Sequence, residues 1–145
     1  MDFLTAMSIN ASGLSAQRTR MNIISMNLSN MHTTSTKAGG PYRRKIPVFA
    51  TSPLKGSFGN QLDSSLARQL SGVRVTKIVE DGSDFRIIYD PAHPDADTFG
   101  YVRMPNVNLM REMVNMLTAK RSYEANITAL NATKNMALKS LELLK

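Results

Sequence analysis

The forty residues from Asn106 to Lys145 contain neither glycine nor proline, and this constrains the fold more than any other feature of the sequence. Good helix formers, chiefly Ala, Leu, Met, Glu, Lys and Arg, dominate the stretch. A helix of this length would extend about 60 Å at 1.5 Å per residue. A chain of 145 residues cannot bury such a helix inside its own small core. We therefore expect the helix to pack against a partner.

A heptad pattern marks one side of this stretch, because selected positions alternate in steps of three and four residues. The pattern comprises Met113, Met116, Lys120, Tyr123, Ile127, Leu130, Lys134, Ala137, Leu141 and Leu144. Asn106 and Asn108 can cap the start of the helix, and Glu112 suits the positive N-terminal end of its dipole. The sequence thus predicts one long helix that packs against another helix through these heptad positions, which we call the seam.

A second heptad pattern runs from Phe3 to about Met31. Its members are Phe3, Met7, Asn10, Leu14, Gln17, Met21, Ile24 and Leu28. Gly13 lowers the helix propensity of the segment by about 1 kcal/mol relative to Ala, and small polar residues are frequent throughout it. We expect a helix that forms only when it packs against something.

Between the two helices, the sequence predicts a linker and a small β-rich insert. Residues 32–40, HTTSTKAGG, are typical of a turn-rich linker. Four segments favour strands, and Pro41 and Pro47 confine the first of them to an edge or an irregular path. These segments are 42–49, 72–79, 85–89 and 99–104. The Asp81-Gly82 turn signal makes the second and third strands candidates for a hairpin. Residues 51–71 are loop-like, with one or two helical turns possible at Leu62, Leu66 and Leu70.

The predicted fold is mainly α, with the N- and C-terminal helices paired as a coiled-coil-like arm and a small β-rich insert between them. The expected divisions are residues 1–32, 33–105 and 106–145, of which the first and last form an assembly core. Two arrangements stay open here: an antiparallel pair within one chain, or helices that also pack against neighbouring chains. Polar seam residues lower stability, and their best-supported use is to fix register and partner, which favours the second arrangement.

Composition excludes several classes of protein. The chain has no Cys, which excludes disulfide scaffolds, thiolate zinc sites and cysteine nucleophiles. No apolar run approaches the roughly 18 residues of a membrane-spanning helix, and we expect no cleavable signal peptide. The net charge of +7 comes from the two ends, since residues 1–50 carry +5 and residues 106–145 carry +3. A small basic module that binds nucleic acid or an anionic membrane is therefore an alternative function.

Two local clusters are candidate sites. Tyr42, Arg43, Arg44 and Lys45 form a basic run that could contact a neighbouring subunit, protect a strand edge or bind nucleic acid. Residues 90–97 hold Asp90, His93, Asp95 and Asp97, but they lack the spacing of a calcium loop, so a surface turn is the preferred interpretation. No Gly-rich phosphate-binding loop follows a strand, and no segment resembles a nucleophile elbow.

Five motifs occur in order and together resemble the FlgC family of bacterial flagellar basal-body rod proteins. They are GGPYRRK at 39–45, YDPAHPDAD at 89–97, GYVRMPNV at 100–107, EMVNML at 112–117 and RSYEAN at 121–126. The opening segment SGLSAQRTRMNIISMNLSN at 12–30 is similar to the N-terminal signature of flagellar axial proteins. The resemblance spans nearly the whole chain.

The resemblance implies a structural subunit of the proximal rod, in the periplasm near the inner membrane, without enzymatic activity, catalytic residues or a cofactor. It implies export by the flagellar type III apparatus, and contacts with itself, other rod subunits, and membrane-ring and export-gate components. It implies no nucleic-acid partner and no small-molecule substrate. The predicted helix-packing and assembly interface consists of Met7, Leu14, Gln17, Met21, Ile24, Asn27, Leu28, Asn30, Met113, Met116, Lys120, Tyr123, Ile127, Leu130, Lys134 and Leu141.

Overall fold

The chain forms two long helices and two small antiparallel sheets in a computed structural model, which describes residues 3–53 and 71–143. In chain order the elements are α1 (Phe3–Ser29), β1 (Lys45–Pro53), β2 (Ser71–Glu80), β3 (Arg86–Tyr89), β4 (Tyr101–Met104) and α2 (Leu109–Glu142). The predicted layout of a helix, a small β-rich insert and a second helix is confirmed, and the strands of the insert are antiparallel. The helical turns predicted at Leu62, Leu66 and Leu70 lie outside the described residues.

α2 begins where one of the two predicted caps lies. The side chain of Asn108 accepts a hydrogen bond from the backbone N–H of Arg111 at 3.0 Å, which satisfies one of the free donors of the first turn. Glu112 lies in that first turn and Lys139 in the last, as the helix dipole favours. The other predicted cap, Asn106, bonds elsewhere.

The two helices run antiparallel. Asn27 of α1 bonds to Glu112 of α2, and Gly13 lies against Asn126. In both pairs the residue numbers add to 139 (27 + 112 and 13 + 126), so α1 and α2 advance in opposite directions at the same rate. α1 also packs against β1 and β2. It therefore lies between α2 and the first sheet.

The strands pair differently from the prediction. β1 pairs with β2, from Lys45 opposite Glu80 to Pro53 opposite Ser71, with an irregularity between Val48 and Phe49. β3 pairs with β4 in a second two-stranded sheet. The predicted hairpin between the strands at 72–79 and 85–89 is wrong.

The turn after β2 explains this difference. The Asp81 side chain accepts a hydrogen bond from the Ser83 N–H at 3.0 Å, a local Asx-type turn. The Asp81 N–H donates to the Arg44 carbonyl at 2.8 Å, which extends the pairing of β2 with β1. Residues 81–83 are thus held beside the start of β1, and the chain leaves this sheet before β3 begins.

The hydrophobic core of the described residues is small. It consists of Ala16, Ile23, Ile24, Tyr42, Val102 and Ala119, and three polar residues are buried with it, Asn27, Glu112 and Thr133. No helix among residues 3–53 and 71–143 is long and apolar enough to cross a membrane. Buried polar contacts therefore contribute to the packing between elements together with this small apolar core.

Candidate assembly site: the helix pair and its polar junction

Asn27 joins three elements near the end of α1. Its side chain has no exposed surface. The amide nitrogen donates to the Lys45 carbonyl at 2.9 Å and to Glu112 Oε2 at 3.2 Å. The amide oxygen accepts from the Tyr42 hydroxyl and from the Lys45 N–H, each at 2.9 Å. All four hydrogen-bonding positions of the amide are used, so this side chain ties α1 to the start of β1 and the start of α2.

Glu112 is a fully buried carboxylate whose charge is paired. Arg44 donates to its Oε1 from Nε at 2.8 Å and lies within 2.7 Å through Nη2. The same guanidinium reaches Asp81 Oδ2 at 3.2 Å, and Asn115 donates to Glu112 Oε1 at 3.3 Å. Charge-assisted bonds of this kind are stronger than neutral ones. They offset the desolvation of both charges, which is otherwise costly.

Asn106 completes the connection between the sheet and α2. Its side-chain oxygen accepts from the Arg44 N–H at 2.8 Å, and its nitrogen donates to the Asp81 carbonyl at 3.1 Å and to Ser83 Oγ at 2.9 Å. Asn106 therefore fixes the approach to α2 without capping it. We call this cluster of contacting side chains the polar junction; it consists of Asn27, Tyr42, Arg44, Asp81, Asn106 and Glu112.

Two members of the polar junction have shifted pKa values. Burial raises the pKa of the Tyr42 hydroxyl, and the negative charges of Glu80 and Glu112 raise it further. Hydrogen bonds from Ser83 lower the pKa of Asp81, with a smaller contribution from Arg44. The raised pKa keeps the Tyr42 hydroxyl neutral, so that it can donate its hydrogen bond. The lowered pKa keeps Asp81 ionised, so that it can accept.

The positions of α2 that face α1 differ in part from the predicted heptad seam. Half of them lie one residue before a predicted position, and the other half coincide with predicted positions. Glu112, Ala119 and Thr133 are buried, and Asn126 is partly buried against Gly13. These four recur every seven residues. Between them lie the partly buried Met116, Tyr123, Leu130 and Ala137, which belong to the predicted seam.

Small residues bring the middle of α1 close to both of its neighbours. A Cβ atom on Gly13 would lie 2.9 Å from Asn126 Nδ2 of α2, and one on Gly72 of β2 would lie 2.8 Å from Ser12 Oγ. Ser12 Oγ also accepts from the Val73 N–H at 3.1 Å. The glycine that the sequence marks as a weak point of the helix thus permits a close approach between the helices at this position.

The predicted interface residues fall into two groups. Those of α1 are all partly or fully buried, namely Met7, Leu14, Gln17, Met21, Ile24, Asn27, Leu28 and Asn30. In α2, Met116, Tyr123 and Leu130 are partly buried, whereas Met113, Lys120, Ile127, Lys134 and Leu141 are exposed. The Gln17 Oε1 atom is buried without a hydrogen-bond partner among the described residues.

The basic run at 42–45 makes its contacts within the chain. Tyr42 and Arg44 belong to the polar junction. The Arg43 guanidinium lies 4.3 Å from the centre of the Phe85 ring and donates to the Asp81 carbonyl at 3.2 Å. Lys45 Nζ lies 6.0 Å from the centre of the Tyr42 ring. A contact of this run with another subunit stays a prediction, and the pairing of Arg44 with Glu112 was missed because the two residues are 68 positions apart.

The loop at 90–97 is held by its own turns. Asp90 accepts from the Ala92 N–H at 3.2 Å, and Asp97 accepts from the N–H groups of Phe99 and Tyr101, each at 2.9 Å. Asp95 accepts from the Thr34 hydroxyl at 2.6 Å. Within residues 3–53 and 71–143, no cluster of three or more His, Asp or Glu side chains is placed to hold a metal ion.

Comparison with known proteins gives a consistent result at both ends of the chain. Residues 7–35 match the family described as flagella basal body rod protein, and residues 100–143 match the C-terminal family of the flagellar basal body rod FlgEFG proteins. The flagellar basal-body rod protein FlgC of Bacillus subtilis is 47% identical over 95% of both chains. FlgC of Borreliella burgdorferi is 43% identical over 100% of this chain and 99% of its own. FlgC of Salmonella typhimurium is 39% identical over 99% and 98%.

Proposed function

Since the chain belongs to the FlgC family of flagellar basal-body rod proteins, we propose that it polymerises into the rod through its two terminal helices. The family makes it a structural subunit of the rod and not an enzyme. One observation carries the proposal of helix-mediated assembly. Half of the heptad seam on α2 is exposed, including Met113 and Ile127, beside which α1 covers the neighbouring positions, and Leu141, which lies past the start of α1.

A helix from a neighbouring subunit would cover this exposed half of the seam. Burial of apolar surface contributes roughly 25 cal/mol per Å², and the interspersed Lys120 and Lys134 would select register and partner. In this proposal α1 and α2 form a coiled-coil-like arm. Residues 1–32 and 106–145 build the assembly core, and residues 33–105 form a separate insert anchored to it by the polar junction.

The same family membership supports a proposal for location and export. We propose that the chain is exported by the flagellar type III apparatus and assembles in the periplasm near the inner membrane. Its partners would be copies of itself, other rod subunits, and components of the membrane ring and export gate. The function needs no cofactor, nucleic acid or small-molecule substrate.

The experiment compares two charged substitutions on α2. Ile127→Asp places a carboxylate on the exposed half of the seam, where burial against a neighbour would be costly. Ala125→Asp adds the same charge about 160° around the helix, at another exposed position. Each variant replaces the native protein in a motile strain, and rods are counted by electron microscopy of basal bodies.

We expect Ile127→Asp to abolish rods and swimming, and Ala125→Asp to retain both. Urea unfolding of the purified variants checks that each subunit still folds. Normal rods built from a folded Ile127→Asp protein would show that this side of α2 takes no part in assembly.

A further inference from the structure

The first two turns of α2 carry an apolar stripe that contains two methionines. Met110, Met113, Val114 and Leu117 have the i, i+3, i+4, i+7 spacing of one helix face. Their exposed fractions are 72%, 55%, 63% and 50%. The stripe includes Met113 of the exposed half of the seam, so a reaction at these methionines would change a surface that the proposed assembly buries.

Methionine supplies all the sulfur of the chain. The sequence has ten Met and no Cys, so no thiol competes for an oxidant that attacks sulfur. Among the described residues, only Met110, Met113 and Met136 are exposed methionines, and the other described methionines are partly buried. Because an oxidant must reach the sulfur atom, exposed thioethers react before buried ones. The two methionines of the stripe are therefore among the first side chains that an oxidant modifies.

We infer that Met110 and Met113 are a peroxide-sensitive modification site, and that their oxidation keeps a free subunit out of the rod; this inference rests on the proposed function. In the reaction, the thioether sulfur donates an electron pair to one oxygen of hydrogen peroxide. An S–O bond forms, the O–O bond breaks, and the other oxygen leaves as water after proton transfer. The sulfur is oxidised to the sulfoxide and the peroxide is reduced.

The sulfoxide changes what the stripe can contact. It is polar, and its oxygen accepts hydrogen bonds. Val114 and Leu117 have no side-chain donor for this oxygen, and burial of a polar atom without a partner is unfavourable. At about 100° per residue, the stripe lies roughly opposite Glu112 and Ala119, which are buried. Oxidation would thus remove the apolar character of the stripe and leave the packing of α2 against α1 unchanged.

Met136 provides an internal comparison, because it is 61% exposed but lies outside the stripe. Its neighbours at i±3 and i±4 on the same side of α2 are Ala132, Thr133, Lys139 and Ser140. A sulfoxide at this position would disrupt no apolar stripe. We therefore expect oxidation of Met136 to leave assembly intact.

The first test measures the rate of oxidation in the purified, folded protein. The native chain is treated with hydrogen peroxide, and each sulfoxide is quantified by mass spectrometry of its peptide. We expect Met110 and Met113 to be oxidised several-fold faster than Met116, which is partly buried on the same helix. Equal rates at the three positions would show that the stripe is not a preferred site and would overturn the inference.

The second test asks whether a polar group at these positions prevents assembly. The Gln double variant, Met110→Gln with Met113→Gln, replaces both thioethers by polar side chains of similar length. The Leu double variant, Met110→Leu with Met113→Leu, keeps the stripe apolar and removes the sulfur that peroxide oxidises. Met136→Gln is the control for an exposed methionine outside the stripe. Each variant replaces the native protein in a motile strain, and rods are counted by electron microscopy of basal bodies.

We expect the Gln double variant to lose most rods, and the Leu double variant and Met136→Gln to retain them. When cells assemble new rods in sublethal peroxide, the native strain should build several-fold fewer than the strain with the Leu double variant. This comparison does not depend on the folding of the Gln double variant. Equal numbers of rods in these two strains under peroxide, or normal rods from the Gln double variant, would contradict the inference.

Ile127→Asp tests the proposed function separately, at a position that peroxide does not modify. If Ile127→Asp fails to build rods while the Gln double variant succeeds, helix-mediated assembly stands and the inference about oxidation is wrong. If Ile127→Asp builds normal rods while the Gln double variant fails, the proposed seam contact is wrong and the modification site stands. The two proposals can therefore fail separately.

Discussion

The two helices differ in how many of their faces are covered. α1 packs against α2 on one side and against β1 and β2 on the other, whereas α2 contacts α1 and leaves its outer face exposed. Their compositions match this difference. α1 is rich in Ser, Asn and Ala and contains Gly13, while the exposed side of α2 carries Met, Leu, Val and Lys. Small side chains allow two neighbours to approach α1 closely, and larger apolar ones on α2 remain available for contacts outside the chain.

The difference also concerns what stabilises each helix. α2 contains many strong helix formers and an N-cap, so local propensity favours it. α1 contains Gly13 and many residues of modest propensity, and its helical state depends on tertiary contacts at its middle and its end. Substitutions at these contacts should therefore affect the free energy of unfolding far more than similar substitutions on the exposed side of α2.

The largest expected effect is that of Glu112→Ala, which removes the carboxylate between Arg44 and Asn27. Among the described residues, Arg44 would keep only Asp81 as a charged partner, and its guanidinium is mostly buried. Loss of one partner of a buried ion pair typically costs about 3–5 kcal/mol. We expect a decrease of this size in the free energy of unfolding, measured with urea.

Glu124→Ala is the matched control for this substitution. Glu124 pairs with Lys120 at 3.7 Å on the exposed side of the same helix, and exposed pairs contribute about 0.2–1 kcal/mol. If the two variants lose similar stability, the polar junction does not anchor α2.

Gly13→Leu should give the next largest effect. Even a Cβ atom at this position meets Asn126 at 2.9 Å, so a longer side chain would force the helices apart. Overpacking of this kind costs about 1–3 kcal/mol, although the gain in helix propensity of about 1 kcal/mol offsets part of it. Ala11→Leu, at an exposed position on α1, should change the unfolding free energy by less than about 0.5 kcal/mol. An unfolding midpoint of Gly13→Leu at or above that of the native chain would contradict the close approach.

The helices and the strand segments could be predicted because their signals are local. The run without Gly or Pro predicts α2, and the alternating segments predict the strands near their observed positions. Strand pairing could not be predicted in the same way. The Asp81-Gly82 turn signal is local, but Asp81 bonds to the backbone of Arg44, 37 residues earlier in the chain.

The same limit applies to the candidate site. The heptad pattern of α2 follows apolar side chains, whereas the positions that contact α1 include Ala119, Asn126 and Thr133, which carry little hydrophobic signal. Glu112 was predicted only as a favourable charge near the helix N-terminus. Its ion pair depends on a fold that brings the start of β1 beside the start of α2, and no local pattern in the sequence encodes that contact.

A smaller effect, of opposite sign, is expected at Gln17 on α1. Its side-chain oxygen is buried and has no donor within the described residues, and an unsatisfied buried polar atom costs about 1–3 kcal/mol. Gln17→Met keeps the length and shape of the side chain and removes this atom. We expect the free energy of unfolding to rise by about 1 kcal/mol, measured with urea. A loss of stability would indicate that the Gln17 oxygen has a hydrogen-bond partner, so that this position of α1 holds no unpaired buried polar atom.

The smallest effect should appear as a dependence on pH at Tyr42, where the end of α1 meets β1. Burial, with the negative charges of Glu80 and Glu112, raises the pKa of this hydroxyl in the folded chain. Its stabilising contribution is therefore complete below the unfolded pKa of about 10 and is lost as the pH rises through the folded pKa.

Tyr42→Phe removes this titration and the hydrogen bond to Asn27, which costs about 0.5–1 kcal/mol at neutral pH. The unfolding free energies of the native chain and the variant, measured with urea from neutral pH to about pH 11, should converge as the solution becomes alkaline. Tyr101→Phe, at a 48% exposed position of β4, is the control for the loss of a tyrosine hydroxyl and should leave stability at neutral pH unchanged. A constant difference between the native chain and Tyr42→Phe at every pH would mean that the hydroxyl ionises equally in both states. The end of α1 would then be more open to solvent than its contacts indicate, and less different from the outer face of α2.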